Sequence, residues 1–350
     1  MTRVGISLLT LVPGVSGGSE TYARELVRTL GRIGDLEYRT FLPTIATDVE
    51  GLPSEVVTDY RASRTMPGRM AAMARATAFS NRLQKRFTGF DAVHFPLSVM
   101  IPPVSRIPTV STVLDVQHEF LPEFFSGAER VYRKRVYGWT VRRSRLVITI
   151  SRHSAETLVE RLGLAEERVR PIHLGLDHDR FRPGIGPRGE FVLYPALGWP
   201  HKNHARLFEA FGLLRQRHPG LELVLTGYDG RAPEGVRVLG RVPQDELVRL
   251  YQNAAALVFP SLYEGFGQPP LEAMACGCPV ASSNAASLPE VCGDAARLFD
   301  PHSVEEIAAA VEEVLADPDD LVRRGLERAA QFTWEKTARE HEAVYREIAV

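Results

Sequence analysis

The feature that most constrains this chain is an alternation of short apolar runs with amphipathic stretches, which occurs twice. Strand-length runs of β-branched and aliphatic residues fall at 3–11, 37–42, 55–57, 91–95, 109–114 and 146–150. Helix-length segments with apolar residues every three or four positions lie between them, at 20–32, 69–87 and 151–162. Compact apolar strands joined by crossovers of that length predict a parallel sheet covered by helices. Residues 175–190 then interrupt the pattern with Pro183-Gly184, Gly186-Pro187 and Gly189. Glycine and proline without an apolar period read as a linker. The alternation restarts with strands at 191–196, 221–226, 236–239, 256–259 and 279–281. Its helices are predicted at 203–216, 245–252, 271–275, 304–315, 321–331 and 334–348. The expectation is an α/β protein of two Rossmann-like doubly wound domains, 1–175 and 191–332, with linker 176–190 and a terminal helical segment 333–350. Such sheets bind ligands beyond the carboxyl ends of their strands. The chemistry is therefore expected in the loops at 12–19, 115–125, 197–204, 227–230 and 260–270, facing an interdomain cleft.

The 350 residues are 44% apolar, which supplies core for two domains, and no 18-residue apolar run is present to cross a membrane. The apolar run 4–12 behind Arg3 is short and leads through Pro13-Gly14-Val15-Ser16-Gly17-Gly18-Ser19 into a helix, the pattern of a mature fold rather than a signal peptide. Cys276, Cys278 and Cys292 are few and odd in number, which predicts reduced, buried thiols and a cytoplasmic chain. Residues 1–182 hold 26 Lys and Arg against 19 Asp and Glu, a net of +7, whereas 183–350 carry a net of −8. The first half is thus suited to an anionic partner. Arg61, Arg64, Arg69, Arg75, Arg82, Lys85 and Arg86 form one basic segment. Arg130, Arg133, Lys134, Arg135, Arg142, Arg143 and Arg145 form another. Peripheral contact with an anionic membrane at its inner face is one reading, and a solvated helix face is the other. Nucleic acid is not expected, since the chain is not basic overall and carries no recognition motif.

The strongest motif runs from Phe259 through Pro-Ser-Leu-Tyr to Glu264-Gly265-Phe266-Gly267, then Gln-Pro-Pro-Leu-Glu272. A strand ends, a glycine loop exposes backbone amides, and a helix starts at prolines that suit its first turn. Free amides at the positive end of a helix cradle anions. The flanking carboxylates Glu264 and Glu272 suit vicinal hydroxyls, as a sugar and a ribose present them.

Glu264 and Glu272 enclose seven residues, and this spacing within Pro-Ser-x-x-Glu-Gly-Phe-Gly-x-Pro resembles the signature of glycosyltransferase family 4, retaining enzymes of the GT-B fold. The resemblance extends to Gly17-Gly18-Ser19-Glu20, His173-Leu-Gly175-Leu-Asp177, Tyr194 to His204, Leu239-Gly240-Arg241 and Leu288-Pro-Glu290. It implies an N-terminal acceptor domain, a C-terminal donor domain and a last helix that packs back toward the first domain. Carried over by position, Glu272 holds the donor ribose and Glu264 the transferred sugar. The amides of Gly265, Phe266 and Gly267 face sugar and diphosphate, Lys202 contacts the diphosphate, and Gly17 and Gly18 form the first-domain loop. The family's arginine six residues before that lysine is Ala196 here, which leaves Arg241 or His201 to compensate. The implied donor is GDP-mannose first, from the similarity of Trp-Pro-His-Lys-Asn to mannosyltransferase-like members, and UDP-glucose second. The implied acceptor is a glycan, a lipid-linked sugar or a small molecule. No bound cofactor and no metal are implied.

Two assignments stay open on the sequence. Asp177-His178-Asp179 matches a metal-binding Asp-x-Asp formally, but its place at the linker favours a turn. Where the family often has a His at a first-domain strand end, this chain has Leu114, and His118 and Asp115 are the nearest candidates for a catalytic acid–base or positioning role. Packing of His118 against Phe120 or Phe124 is the bland alternative. Two rival functions fit the same pattern: a phosphorylase of the same fold, for which neither Lys202 nor Lys336 is well placed to carry pyridoxal phosphate, and a non-catalytic nucleotide-sugar-binding subunit.

Overall fold

The structure is a computed structural model describing residues 1–14 and 17–349, so Val15 and Ser16 of the first glycine loop lie outside the described residues. The chain divides into two compact units, one of Met1–Gly175 with the segment from Trp334 onward, the other Leu176–Thr333.

The first unit contains β1 (Arg3–Ser7), α1 (Gly18–Ile33), β2 (Glu37–Leu42), β3 (Ser54–Val56), α2 (Met66–Ala78), α3 (Ser80–Gln84), β4 (Ala92–Phe95), β5 (Thr109–Val113), α4 (Gln117–Phe120), α5 (Gly127–Arg143), β6 (Leu146–Thr149), α6 (Arg152–Leu162) and β7 (Val169–Pro171). Its strands are parallel, in the order β3-β2-β1-β4-β5-β6-β7. The order reverses between β1 and β4, so the loops after those strands splay apart and open a crevice. Every residue of β4, β5 and β6 is buried, as expected of central strands covered on both faces.

The second unit contains β8 (Phe191–Pro195), α7 (His204–Arg217), β9 (Glu222–Thr226), β10 (Val236–Val238), α8 (Gln244–Asn253), β11 (Ala256–Phe259), α9 (Gln268–Ala275), β12 (Val280–Ser283), α10 (Leu288–Cys292), β13 (Arg297–Phe299), α11 (Val304–Ala316) and α12 (Asp319–Ala329). The sheet order is β10-β9-β8-β11-β12-β13, again parallel, with its reversal between β8 and β11. The glycine- and proline-rich segment 176–190 belongs to this unit. Arg188 donates to the carbonyls of Ala254 and Gly277, and the Gly189 amide donates to Asn253.

The final helix, α13 (Trp334–Ile348), packs on the first unit beside α1. Trp334, Thr337, Ala338, His341, Tyr345 and Ile348 recur at helical spacing and are all buried. A directed chain of hydrogen bonds fixes it. His341 Nδ1 lies 2.7 Å from the Thr337 carbonyl, which can only accept, so Nδ1 carries the proton. Nε2 therefore accepts from Tyr22 Oη at 2.8 Å. Tyr22 in turn accepts from Thr112, Thr112 from His94 Nε2, and His94 Nδ1 from Tyr345, each at 2.8 Å. Burial holds both imidazoles neutral: it lowers His341 to about 4 and His94 well below its ordinary value.

The segment expected as one helix at 69–87 is broken. Phe79 leaves helical geometry at φ −103°, ψ 27°, separating α2 from α3, and a 3-10 turn at Lys85–Phe87 follows. Helix α5 falls on the second basic segment, for which the sequence offers a solvated helix face without bounds. Its start is written in a capping box, in which the Ser126 hydroxyl accepts from the Glu129 amide and Glu129 returns to the Ser126 amide.

Candidate active site

The loops after β8 and β11 flank the topological switch of the second sheet, and the sequence ties them together there. Asn203 sits at φ 61°, ψ 33°, a left-handed conformation that asparagine tolerates, and joins a 3-10 turn at Pro200–Lys202 to α7. Its side-chain amide donates to the carbonyls of Pro260, at 3.0 Å, and Pro301, at 2.7 Å. The Leu262 amide donates to the His201 carbonyl at 2.8 Å. Tyr194, buried in β8, donates its hydroxyl to the Lys202 carbonyl at 2.7 Å and lies 3.3 Å from Ser261 Oγ. These bonds fix the Lys202 backbone from both sides. His204 braces it from below, buried and stacked on Tyr228 at 4.4 Å between ring centres. Desolvation, reinforced by the Lys202 charge, lowers His204 to about 4, so it packs as a neutral ring.

Lys202 Nζ lies 2.5 Å from Glu264 Oε1, and both side chains are only about one-seventh exposed. The Phe259 ring lies 5.5 Å beneath the ammonium. Sequence reasoning gave these residues separate ligands, yet the switch point brings them into one ion pair. A pair this enclosed gains Coulomb energy but loses hydration, so its net contribution to stability is small. Its consequence is positional: an ammonium and a carboxylate are held ready where a ligand carrying both anionic and hydroxyl groups can meet them.

The Glu264–Gly267 loop is pinned by Ser287, whose hydroxyl lies 2.9 Å from the Glu264 carbonyl and 2.5 Å from that of Phe266. Gly267 precedes α9 at φ 129°, where an added Cβ would come 2.9 Å from Leu288 Cδ2. Only glycine fits both the backbone angle and the space. Pro269 and Pro270 fall in the first turn of α9, where a residue without an N–H is tolerated. One turn on, Glu272 accepts from the Tyr251 hydroxyl at 2.9 Å. Burial raises Glu272 to about 7, against the opposing pull of the Tyr251 bond and of Arg180.

The other expected residues are dispersed. Arg241 is exposed after β10, the edge strand two places from β8. Gly17, at φ 49°, ψ −125°, caps α1, and an added Cβ at Gly17 or Gly18 meets nothing within 4 Å. Glu20, in the first turn of α1, accepts from the Gly14 amide and from Arg24, which holds that loop entrance. Asp115 is half-buried after β5 and accepts from the Gln117 amide at 3.1 Å. His118 is 4% exposed, with its ring edge-on to Phe125 and Tyr137 at 6.3 and 5.7 Å. Phe125 and Tyr137 are thus among the rings that surround it. Neither ring nitrogen has a hydrogen-bond partner among the described residues, though Nε2 lies 3.7 Å from Glu119 Oε1. Burial, then the Arg133 charge, lowers its proton affinity. Asp177 forms a turn, accepting from the Arg180 amide at 3.2 Å. The three cysteines are free and buried, each thiol pushed up to about 12 by desolvation.

Residues 177–332 match the family model described as glycosyl transferases group 1, and residues 16–180 match that of glycosyltransferase family 4. The chain is 33% identical over 262 residues to the O-antigen chain mannosyltransferase B of Escherichia coli, covering 65% of this chain and 67% of that one. It belongs to glycosyltransferase family 4. Another member, the MMP alpha-(1->4)-mannosyltransferase of Mycolicibacterium hassiacum, is 29% identical with 94% of each chain covered. The match to the Escherichia coli serotype-specific mannosyltransferase WbdA is 32% identical and covers 28% of that longer protein. Among solved structures, the sucrose-phosphate synthase of Thermosynechococcus elongatus superposes with a TM-score of 0.78 at 18% identity, covering 99% of each chain. Anabaena HepE, solved with UDP and glucose, gives 0.75 at 17% identity, covering 99% of this chain and 100% of that one. The fold of this family 4 member is therefore GT-B.

Proposed function

We propose that this glycosyltransferase moves a hexose from a nucleoside diphosphate sugar to a hydroxyl of a glycan, a lipid-linked sugar or a small molecule, with retention at the anomeric carbon and without a metal ion. GDP-mannose is the first donor to test and UDP-glucose the second. The mannosyltransferases among the relatives support the first, and the UDP and glucose held by HepE support the second.

The observation that carries this reading is the Lys202–Glu264 pair, with the backbone of the Gly265–Gly267 loop following Glu264 directly. As the bond between anomeric carbon and diphosphate breaks, negative charge grows on the leaving phosphate oxygens. The Lys202 ammonium and the loop amides stabilise that charge most when it is fully developed, which is what lowers a barrier. Glu264 then exchanges part of its bond to Lys202 for hydroxyls of the transferred sugar. Glu272, once ionised, accepts both ribose hydroxyls. The acceptor side is assigned to the first unit. Of the two candidates there, the burial of His118 between aromatic rings favours Asp115, whose carboxylate would take the acceptor's proton.

The test is turnover of GDP-mannose and UDP-glucose over an acceptor panel, with the anomeric configuration of the product read by proton NMR, with and without EDTA. The expected product keeps the donor's configuration, at a rate that chelation does not change. An inverted product overturns retention. Activity lost to EDTA and restored by Mn²⁺ returns Asp177 and Asp179 to the site.

A further inference from the structure

The amino ends of β5 and β6, at the edge of the first sheet opposite its ligand-binding loops, border an open groove of about 710 Å³. Val104, Ile107 and Pro108 form its floor with Thr109, and Arg106, Arg143, Arg145 and Arg168 line it. No carboxylate does; Glu166 and Glu167, next to Arg168 in sequence, are not among the lining residues. Arg168 is committed to structure, since its guanidinium donates to the Val141, Arg142 and Ser144 carbonyls at the end of α5. Arg106, Arg143 and Arg145 are exposed and make no ion pair with any described residue. Arg143 lies 5.2 Å from the Trp139 ring. Arg106, Arg143 and Arg145 thus border the groove with no lining acid to offset their charge, and an anion there would supply the missing partner.

The surface beside the groove says which anion. Along α5, beyond Gly127 and Ala128 at its start, the exposed residues are Arg130, Val131, Lys134, Arg135, Trp139, Arg142 and Arg143: cations with two large apolar side chains between them. Trp139 is 37% exposed and Val131 52%. The acidic residue of the helix, Glu129, is used in the cap. Tyr132 donates to Met73 Sδ, so α2 lies alongside, and α2 adds exposed Met70 and Arg75 with no acidic residue in its length. A soluble anion accounts for the arginines but leaves outward tryptophan and valine in water. A bilayer surface takes both, since phosphates meet the cations and the interfacial zone takes indole and aliphatic groups.

We propose that the Arg106–Arg143–Arg145–Arg168 groove binds the phosphate of an anionic phospholipid headgroup, with Trp139 seated in the interface beside it. The groove and α5 then form one docking face, distinct from the donor cradle of the second unit. Each exposed arginine held at an anionic surface strengthens binding about fivefold. Attraction among exposed charges weakens as added salt shortens the screening length.

The experiment is co-sedimentation of the full chain with vesicles of phosphatidylcholine alone and of phosphatidylcholine mixed with phosphatidylglycerol. The parent should bind the mixed vesicles, release with salt, and ignore the neutral ones. Arg106→Ala with Arg145→Ala should weaken partitioning about 25-fold, and Trp139→Ala should weaken it with no change in charge. Arg231→Ala with Arg249→Ala, an equal charge change on exposed positions of the second unit, should leave it unchanged. Thermal unfolding of every variant should match the parent. Equal loss from the control pair reduces the effect to net charge and overturns the site. So does displacement from vesicles by millimolar glycerol phosphate, which would make the groove a soluble-phosphate site. Binding to neutral vesicles at parental strength, or unchanged binding in both the arginine and Trp139 variants, also overturns it.

Discussion

Glu272→Gln should make the second unit more stable at pH 8 while it damages donor binding. Glu272 is raised from 4.5 to about 7, chiefly because burial disfavours its charged form. The folded chain therefore holds this proton more tightly than the unfolded chain does. Stability from this group is complete below about pH 4.5 and is lost as pH rises through about 7. At about 1.36 kcal/mol per pH interval of displacement the full penalty at pH 8 is about 3 kcal/mol, and about 2 kcal/mol once residual exposure is allowed for. Glutamine keeps an oxygen for the Tyr251 hydroxyl and removes the charge. For a unit of this size the gain corresponds to roughly 4–8 °C in melting temperature at pH 8, and to about a quarter of that at pH 5. Differential scanning calorimetry of parent and variant at the two pH values measures it. Donor binding should move the other way, because only the ionised carboxylate accepts both ribose hydroxyls, so parental affinity should rise as pH passes about 7. A gap in melting temperature that is the same at both pH values, or a variant less stable than the parent at pH 8, would refute the assignment.

The first unit should respond to pH with the opposite sign. His94 and His341 are buried neutral, with folded values below the unfolded ones. Their contribution is complete above about 6.5 and is lost as pH falls through about 4, so circular dichroism should find α13 and its unit acid-labile, with Tyr345→Phe destabilising by about 1 kcal/mol at neutral pH. Gly267→Ala should lower stability by about 1–3 kcal/mol and cut turnover, since the added methyl meets both a positive φ and Leu288, and thermal unfolding with steady-state kinetics checks both. Asp115→Asn should lower kcat at least about tenfold, whereas His118→Phe should change it little. The reverse ranking would return the acceptor-side role to the histidine.

The parts of this molecule that were legible in the sequence rest on local patterns. Alternating apolar runs gave the two parallel sheets, and the seven-residue spacing of Glu264 and Glu272 marked the loop and helix of the cradle. What was missed depends on tertiary placement. Helix α5 has few buried residues, Gly138, Thr140 and Val141 among them, and turns Val131 and Trp139 outward. It carries almost no apolar stripe to read, and only its capping box gave a local signal. The Lys202–Glu264 pair joins residues 62 apart, and it follows from sheet order rather than from either motif alone. His118 is walled in by Phe125 and Tyr137, the second contributed by α5. The bond from Tyr22 to His341 spans 319 residues, and nothing in either helix's own pattern announces a partner so far away.

Whether Lys202 at the β8–β11 switch and Glu272 hold a nucleoside diphosphate is decided by calorimetric titration of GDP and UDP. The titrations use the parent, Lys202→Ala, Glu272→Ala and Glu264→Ala. Lys202→Ala and Glu272→Ala should bind the preferred diphosphate about ten- to a hundredfold more weakly, as expected when a charged hydrogen-bonding group is removed. Glu264→Ala, whose carboxylate is reserved for the sugar, should bind it within about twofold of the parent yet turn over donor slowly. Parental affinity in both Lys202→Ala and Glu272→Ala would contradict both assignments.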